Sequence, residues 1–293
     1  MARRFLILAN PISGGGKSKR LAPELRDALV LRGHTVDLHV TTCRGDAASR
    51  AGAVARGYYD AIVGVGGDGT INEILNGLRD LSQPIALLPL GTANVLAKEL
   101  AIPFAPSAVA DLLDRGRPRE LAVGRANGRR FLLFCGVGFD AAMVQRLELL
   151  RTGTAGFRKW TRPVLSVVWR WPLHELVVQA DGVEVARRAT QVLVTRVRAY
   201  GGFLHLPRVV DWRDGSLHLL TFLSRTRLAY ATKTLLAFLR CLKPSRSLLH
   251  RTATRITVTS EHPIPYQIDG DFGGTTPVEI ERLEQRARVY TPL

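Results

Sequence analysis

The first part of the chain, to about residue 125, alternates short apolar runs with longer segments that carry apolar residues at helical spacing. The apolar runs predict strands at residues 5–9, 35–40, 61–65 and 85–88. The segments between them predict helices at residues 21–31, 47–56 and 71–81. Strands and helices that alternate in this way form a parallel sheet with helices on both faces. Such sheets bind ligands at the carboxyl ends of their strands, where this sequence has its glycine-rich stretches.

From about residue 125 onward the pattern changes to longer β-type stretches that are separated by turn residues. Predicted strands cover residues 173–180, 183–197, 216–223 and 252–259, with a turn at Asp181-Gly182. Helical patterns interrupt them at residues 139–150 and 227–243. This second part therefore predicts a domain built on antiparallel sheet.

The densest candidate for chemistry is the segment VGVGGDGTINEILNGL, residues 63–78. A predicted buried strand continues into Gly66-Gly67-Asp68-Gly69-Thr70, and a helix follows with Asn72 and Glu73 in its first turn. The glycines let the backbone approach an anion, and a helix N-terminus offers free N–H groups. An aspartate among such amides indicates a cation such as nucleotide-bound Mg²⁺. The alternative is a tight turn in which Asp68 caps a helix.

The N-terminal stretch ANPISGGGKS ends like an ATPase phosphate loop but departs from that pattern. The pattern requires a glycine five residues before Gly16-Lys17-Ser18, and Pro11 stands there. A strand, a turn and a helix start are still predicted, so phosphate binding remains an expectation. The apolar run before Asn10 is about five residues long, shorter than the roughly 7 to 15 of a secretory signal.

Composition indicates the kind of partner and the cellular compartment, but it does not identify the function. The 41 basic residues exceed the 25 acidic ones by 16, and 35 of the basic residues are arginines, which bind phosphates bidentately. This charge favours anionic partners, although a generally arginine-rich surface explains it equally well. Three widely spaced cysteines, Cys43, Cys135 and Cys241, predict no disulfide framework and agree with a reducing cytoplasm. The histidines have no metal-site spacing, and no G-x-S-x-G nucleophile motif occurs.

Several motifs together resemble the diacylglycerol kinase and sphingosine kinase family of lipid kinases. Gly66-Gly67-Asp68-Gly69-Thr70-x-Asn72-Glu73 resembles the family's nucleotide-binding signature, which NAD kinases and phosphofructokinases share more distantly. The other matching motifs, in chain order, are Asn10-Pro11-x-Ser13-Gly14, Pro89-Leu90-Gly91-Thr92-Ala93-Asn94, Gly136-Val137-Gly138-Phe139-Asp140, Asp214-Gly215-Ser216-Leu217 and Asp269-Gly270-Asp271. The resemblance extends from residue 5 to about 290.

The resemblance implies an α/β fold of the NAD-kinase and diacylglycerol-kinase type. An N-terminal parallel-sheet nucleotide domain would cover residues 1–125, joined by the tail 284–293, and an antiparallel β-sandwich acceptor domain would cover 126–283, with ATP in the cleft between them. Mg²⁺ would accompany ATP. The residues implied to line the nucleotide are Asn10, Pro11, Ser13, Gly14, Thr41, Gly66, Gly67, Asp68, Gly69, Thr70, Asn72, Glu73, Thr92 and Asn94.

The implied catalytic residues are Asp68, which faces the metal-bound nucleotide, and Asp271, which removes a proton from the acceptor hydroxyl. The family carries Glu at the position of Asp271, so the neighbouring Asp269 stays open as an alternative base. Val95 is a second departure, because many bacterial relatives have a metal-ordering Asp there. Asp211, Asp214 and Ser216 resemble a structural Mg²⁺ loop, with a plain Asp-Gly turn as the alternative.

A lipid acceptor requires a surface that meets a bilayer, and two segments are candidates. Residues 226–243 place Leu228, Leu235, Leu239 and Leu242 on one helical face, although packing on the sheet explains that face as well. Residues 158–171 combine tryptophans with arginines.

The leading hypothesis is an ATP-dependent lipid kinase that acts on a diacylglycerol-like or sphingoid lipid and is peripherally bound to the inner face of an anionic membrane. The alternatives are a soluble NAD-kinase-like enzyme and a non-catalytic lipid-binding or polyanion-binding regulator. We expect no nucleic acid partner, and the oligomeric state, including a homodimer, stays open.

Overall fold

The computed structural model describes residues 2–150 and 173–292, so the candidate membrane segment 158–171 lies outside the described residues. The chain forms two compact units. Unit 1 comprises Met1–Val123, Gly201–Phe203 and Leu283–Leu293, and unit 2 comprises Gly124–Tyr200 and Leu204–Arg282. None of the described helices combines the length and the apolar character that a membrane crossing requires.

Unit 1 is built on a parallel sheet. Its strands are β1 (Arg4–Ala9), β2 (Thr35–Val40), β3 (Ala61–Gly66) and β4 (Ile85–Pro89), and its helices are α1 (Ser18–Val30), α2 (Asp46–Ala53), α3 (Asp68–Gly77), α4 (Val95–Glu99) and α5 (Pro106–Arg115). The strand order is β2-β1-β3-β4, and the strands are parallel throughout. Each strand of this sheet matches a strand predicted from the sequence to within one residue at either end.

Both faces of the unit 1 sheet are covered by helices, because β1, β3 and β4 are apolar at nearly every position. On one face, α1 and α5 bury Leu25, Leu29 and Leu113 against β1 and β3. On the other face, the side chains of Ile71 and Ile74 in α3 close over Gly64, where a Cβ would lie 3.0 Å from each. The sheet therefore holds the carboxyl ends of β1, β3 and β4 at one edge.

Unit 2 is predominantly antiparallel sheet. Its elements are β5 (Pro118–Ala126, shared with unit 1), β6 (Arg129–Phe131), β7 (Phe134–Gly138), α6 (Phe139–Leu150), β8 (Leu176–Ala180), β9 (Val183–Ala189), β10 (Gln191–Thr195), β11 (Ala199–Tyr200), β12 (Leu204–His205), β13 (Leu217–Phe222), α7 (Arg227–Phe238), β14 (Leu248–Ala253), β15 (Arg255–Thr259), β16 (Pro265–Ile268), β17 (Asp271–Thr275) and β18 (Val278–Tyr290, which ends in unit 1).

Two layers of strands enclose the core of unit 2. One layer has the order β14-β13-β10-β7-β16-β17, and the other contains β18-β15-β8-β9. Alternating side chains such as Val137, Val192 and Leu219 from the first layer meet Val178 and Ile256 from the second. The predicted fold class, a parallel α/β part followed by an antiparallel sheet part, is confirmed.

Candidate active site

Three loops meet at the carboxyl edge of the unit 1 sheet, where β1, β3 and β4 end. The amide of Asn10, directly after β1, donates to the carbonyl of Val65 at 3.0 Å, and the amide of Leu90 donates to the carbonyl of Gly66 at 2.7 Å. After β2, Thr41 donates its amide to the carbonyl of Ala9 at 2.9 Å. The parallel register thus brings together the predicted phosphate loops, which lie far apart in the sequence.

Close backbone packing explains some of the glycines at this edge. A Cβ on Gly67 would lie 2.9 Å from the Cα of Gly91, and a Cβ on Gly66 would overlap Oγ1 of Thr70. A side chain at Gly67 would push the loops after β3 and β4 apart, and one at Gly66 would collide with the Thr70 side chain in the first turn of α3. Gly69 differs, because among the described residues no atom lies within 4 Å of a Cβ added there. The first turn of α3 therefore has open space beside an exposed glycine, as an approaching anion requires.

The first loop has a left-handed backbone that only glycine adopts readily. Gly14, Gly15 and Gly16 have φ values of 63, 66 and 90°. Asn10 Oδ1 accepts the amide of Ile12 at 3.2 Å, which turns the chain directly after Pro11 begins the loop. The amide of Ser13 donates back to the carbonyl of Asn10 at 3.1 Å.

Asp68 has a structural partner that the sequence does not reveal. Its Oδ2 accepts the amide of Val95 at 3.0 Å and its Oδ1 accepts the amide of Leu96 at 3.1 Å, so it caps α4. Burial raises the pKa of the Asp68 carboxyl, whereas these two amides and the Lys98 ammonium lower it. Capping, the alternative to metal binding, is thus realised, although at a helix that begins 27 residues later than Asp68.

A Mg²⁺ ion bound to a triphosphate still fits Asp68. Each carboxylate oxygen accepts one amide and keeps further lone-pair capacity. Mg²⁺ in nucleotide sites takes one or two carboxylates and completes its shell with phosphate oxygens and water. A single carboxylate is therefore a sufficient protein contribution, and Val95, which is buried, adds only its amide.

The other predicted nucleotide residues of unit 1 divide into buried and exposed groups. Asn94 is buried in a left-handed conformation, and its side chain accepts the Gly91 amide and donates to the Gly91 carbonyl, each at 2.7 Å. Thr70 and Asn72 are buried, Glu73 is half-buried and Thr92 is exposed. The three buried side chains, those of Asn94, Thr70 and Asn72, therefore support the loops from the protein interior. The side chain of Thr92 is open to a ligand.

Lys98 is a candidate that sequence reasoning missed. It lies in α4, donates to the carbonyl of Gly202 at 3.2 Å and lowers the pKa of Asp68. An ammonium group near the phosphate loops suits an anionic ligand. Helix α4 has only five residues, which is too short to give a helical pattern in the sequence. The sequence therefore predicted neither the helix nor a role for its lysine.

In unit 2, the two neighbouring aspartates of the Asp269-Gly270-Asp271 motif have different environments. Asp269 forms a left-handed hairpin turn with Gly270 between β16 and β17. Its Oδ1 accepts the amides of Leu133 and Phe134, each at 3.0 Å, and its Oδ2 accepts the amide of Leu132 at 3.1 Å. Asp269 therefore organises the chain before β7.

Asp271 is placed differently, because it is partly open and pairs with a cation. Its side chain is 22% exposed, and its Oδ2 accepts a hydrogen bond from Nη2 of Arg129 at 2.7 Å. Arg129 lies on β6, and nothing in the sequence pattern linked it to Asp271. The arrangement holds the Asp271 carboxylate in a defined orientation while leaving part of it accessible.

Asp140 is a further buried acid, at the start of α6. Its Oδ2 accepts hydrogen bonds from the Tyr200 hydroxyl at 2.6 Å and from Nε2 of Gln267 at 3.2 Å. Within the described part of the chain, its Oδ1 is buried without a hydrogen-bond partner. Burial raises the pKa of the Asp140 carboxyl, and the two side-chain hydrogen bonds oppose that change. The motif Gly136-Val137-Gly138-Phe139-Asp140 contains this acid, but the sequence alone predicts no role for Asp140.

The predicted structural Mg²⁺ loop at Asp211, Asp214 and Ser216 is already supplied with protein donors. Oδ2 of Asp214 lies 3.1 Å from Nε2 of His218, which is also 3.3 Å from the carbonyl oxygen of Asp211. The buried Arg196 donates to the carbonyl of Ser216 at 3.4 Å and to that of Trp212 at 2.9 Å. Each atom expected to bind the ion thus faces an imidazole or a guanidinium.

These donors do not fit a divalent cation. An ion bound to the Ser216 carbonyl would lie beside the guanidinium of the buried Arg196, and the two positive charges would repel each other. In the ranges 2–150 and 173–292, no group of three or more His, Cys, Asp or Glu side chains is arranged to hold a metal. Arg282 adds a second guanidinium, which donates to the carbonyl of Gly215 at 3.3 Å. Guanidinium and imidazole groups therefore perform the cross-linking that an ion would supply.

Thermal unfolding of the nucleotide-free protein should consequently be the same in EDTA and in Mg²⁺. Arg196→Met should lower the free energy of unfolding by about 3 kcal/mol, because it leaves the carbonyls of Trp212 and Ser216 without this donor. Mg²⁺ should not restore that loss. A midpoint that rises with Mg²⁺ in the parent protein, and no longer does so in Asp214→Asn, would instead establish a metal site.

The chain is similar to known proteins in both sequence and fold. Residues 4–126 match the diacylglycerol kinase catalytic domain. The chain is 27% identical over 294 residues to the diacylglycerol kinase of Bacillus subtilis (strain 168), covering 99% of this chain and 97% of that protein. It is 25% identical to the diacylglycerol kinase of Staphylococcus carnosus (strain TM300), covering 100% and 96%. A crystal structure of a diacylglycerol kinase from Bacillus anthracis str. Sterne shares the fold, with a TM-score of 0.72, 22% identity and coverage of 99% and 96%.

The match to a kinase catalytic domain and the similarity to named kinases indicate that the protein is a kinase. Residues 4–126 match the catalytic domain of diacylglycerol kinases, and similarity to proteins of that name extends over 99% of the chain. The resemblance inferred from the motifs is confirmed, and a kinase catalytic domain implies ATP as the phosphoryl donor.

Proposed function

We propose that the protein is a lipid kinase that transfers the γ-phosphoryl group of Mg²⁺-bound ATP to a hydroxyl of a diacylglycerol-like lipid, with sphingoid or ceramide lipids as the related acceptor class. The observation that carries the proposal is the similarity to named diacylglycerol kinases over 99% of the chain. It includes the antiparallel unit 2 as well as the nucleotide unit. A nucleotide unit alone would support a kinase without favouring any acceptor.

In unit 1, the three loops would bind and orient the triphosphate. The open helix start at Gly69 supplies backbone N–H groups, and the left-handed loop at Gly14 supplies further amides close to the strand ends. Asp68 would hold Mg²⁺, which supplies charge neutralisation for the phosphoryl group in transfer. Lys98, which is a fixed cation near Asp68, adds positive charge on the same side. Positioning and electrostatics of this kind make up most of the catalysis of phosphoryl transfer.

In unit 2, Asp271 would accept the proton of the acceptor hydroxyl. Its carboxylate is partly accessible, whereas both oxygens of Asp269 are engaged by backbone amides. We therefore assign the proton transfer to Asp271 and a structural role to Asp269. Arg129 would fix the orientation of Asp271 through their ion pair at 2.7 Å.

A panel of acceptors tests the proposal directly. The lipids to compare are diacylglycerol, monoacylglycerol, ceramide, sphingosine and phosphatidylglycerol, each with γ-labelled ATP and Mg²⁺. Label should enter the organic extract, with the highest turnover for diacylglycerol. NAD serves as the water-soluble control acceptor. Label on NAD alone would indicate a soluble kinase. Absence of turnover with every acceptor, together with steeply salt-dependent binding to polyanions, would indicate a regulator.

Gly69→Ala tests the phosphate position. The methyl group meets no neighbour in the described structure, and alanine favours the helix by about 0.5–1 kcal/mol, so stability should be unchanged or higher. The KM for ATP should rise on the order of tenfold, because the methyl group keeps phosphate away from the amides of α3.

The matched control is Gly67→Ala, which adds the same methyl group where it meets Gly91 and should lower the unfolding temperature. An unchanged KM for ATP in Gly69→Ala would place the phosphates elsewhere. Steady-state kinetics and thermal unfolding of both variants provide the comparison.

A further inference from the structure

Helix α7, residues Arg227–Phe238, is attached to unit 2 along one face. The Tyr230 hydroxyl donates to Oγ1 of Thr190 at 2.6 Å, and the Tyr230 ring stacks on Phe222 with centroids 6.4 Å apart. Ala237, two turns later on the same face, is buried. Lys233, between them, is half-buried, and burial lowers the pKa of its ammonium group. The attached face thus carries a lysine as well as small and aromatic residues.

The opposite face of α7 is apolar and open. Leu228 and Leu235, together with Leu239, which caps the end of the helix, are spaced by seven and four residues and are 77%, 56% and 55% exposed. Phe238 beside them is 58% exposed. An ordinary amphipathic helix buries its leucines and presents its lysines to water, and α7 does the reverse. Leu242, which the sequence pattern placed on the same face, lies beyond the end of the helix and is buried.

The charges around α7 have a single sign. Residues 225–246 contain six cations, Arg225, Arg227, Lys233, Arg240, Lys243 and Arg246, and no Asp or Glu. Arg225, Arg227, Arg240, Lys243 and Arg246 are exposed. Exposed leucines flanked by cations at both ends of a helix match the acyl boundary and the anionic headgroups of a bilayer surface. A protein partner would need an apolar groove rimmed by acids, whereas a membrane offers both properties everywhere.

We infer that α7 is the membrane-binding element of this protein, with Leu228, Leu235, Phe238 and Leu239 inserted at the headgroup level of an anionic bilayer and the neighbouring cations on its lipid phosphates. The inference deepens the proposed function, on which it rests for the choice of a lipid surface as the partner. Tyr230 and Ala237 fix the orientation of the helix, so that the leucines face away from unit 2.

Vesicle sedimentation with the full chain, without ATP, tests the inference. The protein should bind vesicles of phosphatidylcholine mixed with phosphatidylglycerol and bind phosphatidylcholine alone far less. The double variant Leu235→Glu with Leu239→Glu should bind the mixed vesicles at least tenfold more weakly, because two charges replace inserted side chains. Arg240→Gln should weaken binding by about fivefold, and added salt should remove that difference.

Val183→Glu is the matched control, since Val183 is an exposed apolar residue of unit 2 on β9, at 58% exposure. This variant should bind vesicles as the parent does, and the unfolding temperatures of all variants should agree. Unchanged vesicle binding in the Leu235/Leu239 variant would overturn the inference. A parent dimer that this variant converts to a monomer, with vesicle binding intact, would overturn it in favour of a second copy of the chain.

Activity assays separate this inference from the proposed function. With a short-chain, water-dispersed diacylglycerol, the Leu235/Leu239 variant should keep the turnover of the parent, and with diacylglycerol in mixed vesicles it should lose at least tenfold. Vesicle binding that depends on α7 in a protein without any kinase activity would leave the inference standing and refute the proposed function. Kinase activity in a protein whose vesicle binding does not depend on α7 would support the proposed function and refute the inference.

Discussion

Asp271→Asn should reduce turnover on the order of 10² to 10⁴ while ATP binding and the unfolding temperature stay close to those of the parent. Asparagine has nearly the same shape but cannot accept the proton of the acceptor hydroxyl. Its amide oxygen can still receive the hydrogen bond from Arg129, so the local structure should persist. Turnover at saturating ATP and lipid, nucleotide affinity and thermal unfolding are the three measurements.

Two control variants distinguish the roles of the neighbouring acids. Asp271→Glu keeps a carboxylate and should retain much of the turnover. Asp269→Asn removes an acceptor from the backbone amides of residues 132–134, so it should cost about 1–3 kcal/mol of stability and leave the folded protein active. If Asp271→Asn keeps its turnover and Asp269→Asn loses it, the base is Asp269.

Asp68→Ala should also reduce turnover, on the order of 10² or more. The substitution removes the carboxylate that would hold Mg²⁺ and, with it, the acceptor for the amides of Val95 and Leu96. Both losses act on the loop after β4, which is expected to contact the phosphates. Turnover near the parent value in this variant would exclude Asp68 from the mechanism.

Asp68→Asn separates the metal role from the capping role. Its remaining oxygen can accept one amide, so α4 should be less disturbed than in Asp68→Ala. If Asp68 binds the ion, the Mg²⁺ concentration that gives half-maximal turnover should rise in Asp68→Asn. If Asp68 only caps α4, both variants should lose stability in proportion to the bonds removed, and the Mg²⁺ dependence should match that of the parent.

The parallel half of the fold was predictable because three of its four strands, β1, β3 and β4, are buried on both faces. The runs at residues 61–65 and 85–88 are apolar at every position or nearly so, and β3 and β4 extend them by one residue each. The glycine stretches follow the strands directly, so the candidate phosphate loops could be placed at the carboxyl edge from the sequence. What the sequence could not show is that Gly67 and Gly91 pack against each other.

The antiparallel half was harder to predict, because one-sided burial and sharp turns blur the pattern. The stretch 183–197 contains two strands, β9 and β10, with Thr190 between them. The stretch 252–259 spans the end of β14 and the whole of β15, which Thr254 separates. β7 and β17 each contain two glycines, so their low β-propensity hid them.

The sequence by itself determined the order of strands and helices in the first unit, the positions of the glycine loops and the resemblance to diacylglycerol kinases, since these depend on local pattern and short motifs. Only the tertiary structure decided what each acid does. Asp68 meets the amides of Val95 and Leu96, Asp269 meets those of residues 132–134, and Arg196 occupies the loop expected to hold an ion. A carboxylate's role depends on which donors surround it, and those donors come from distant parts of the chain.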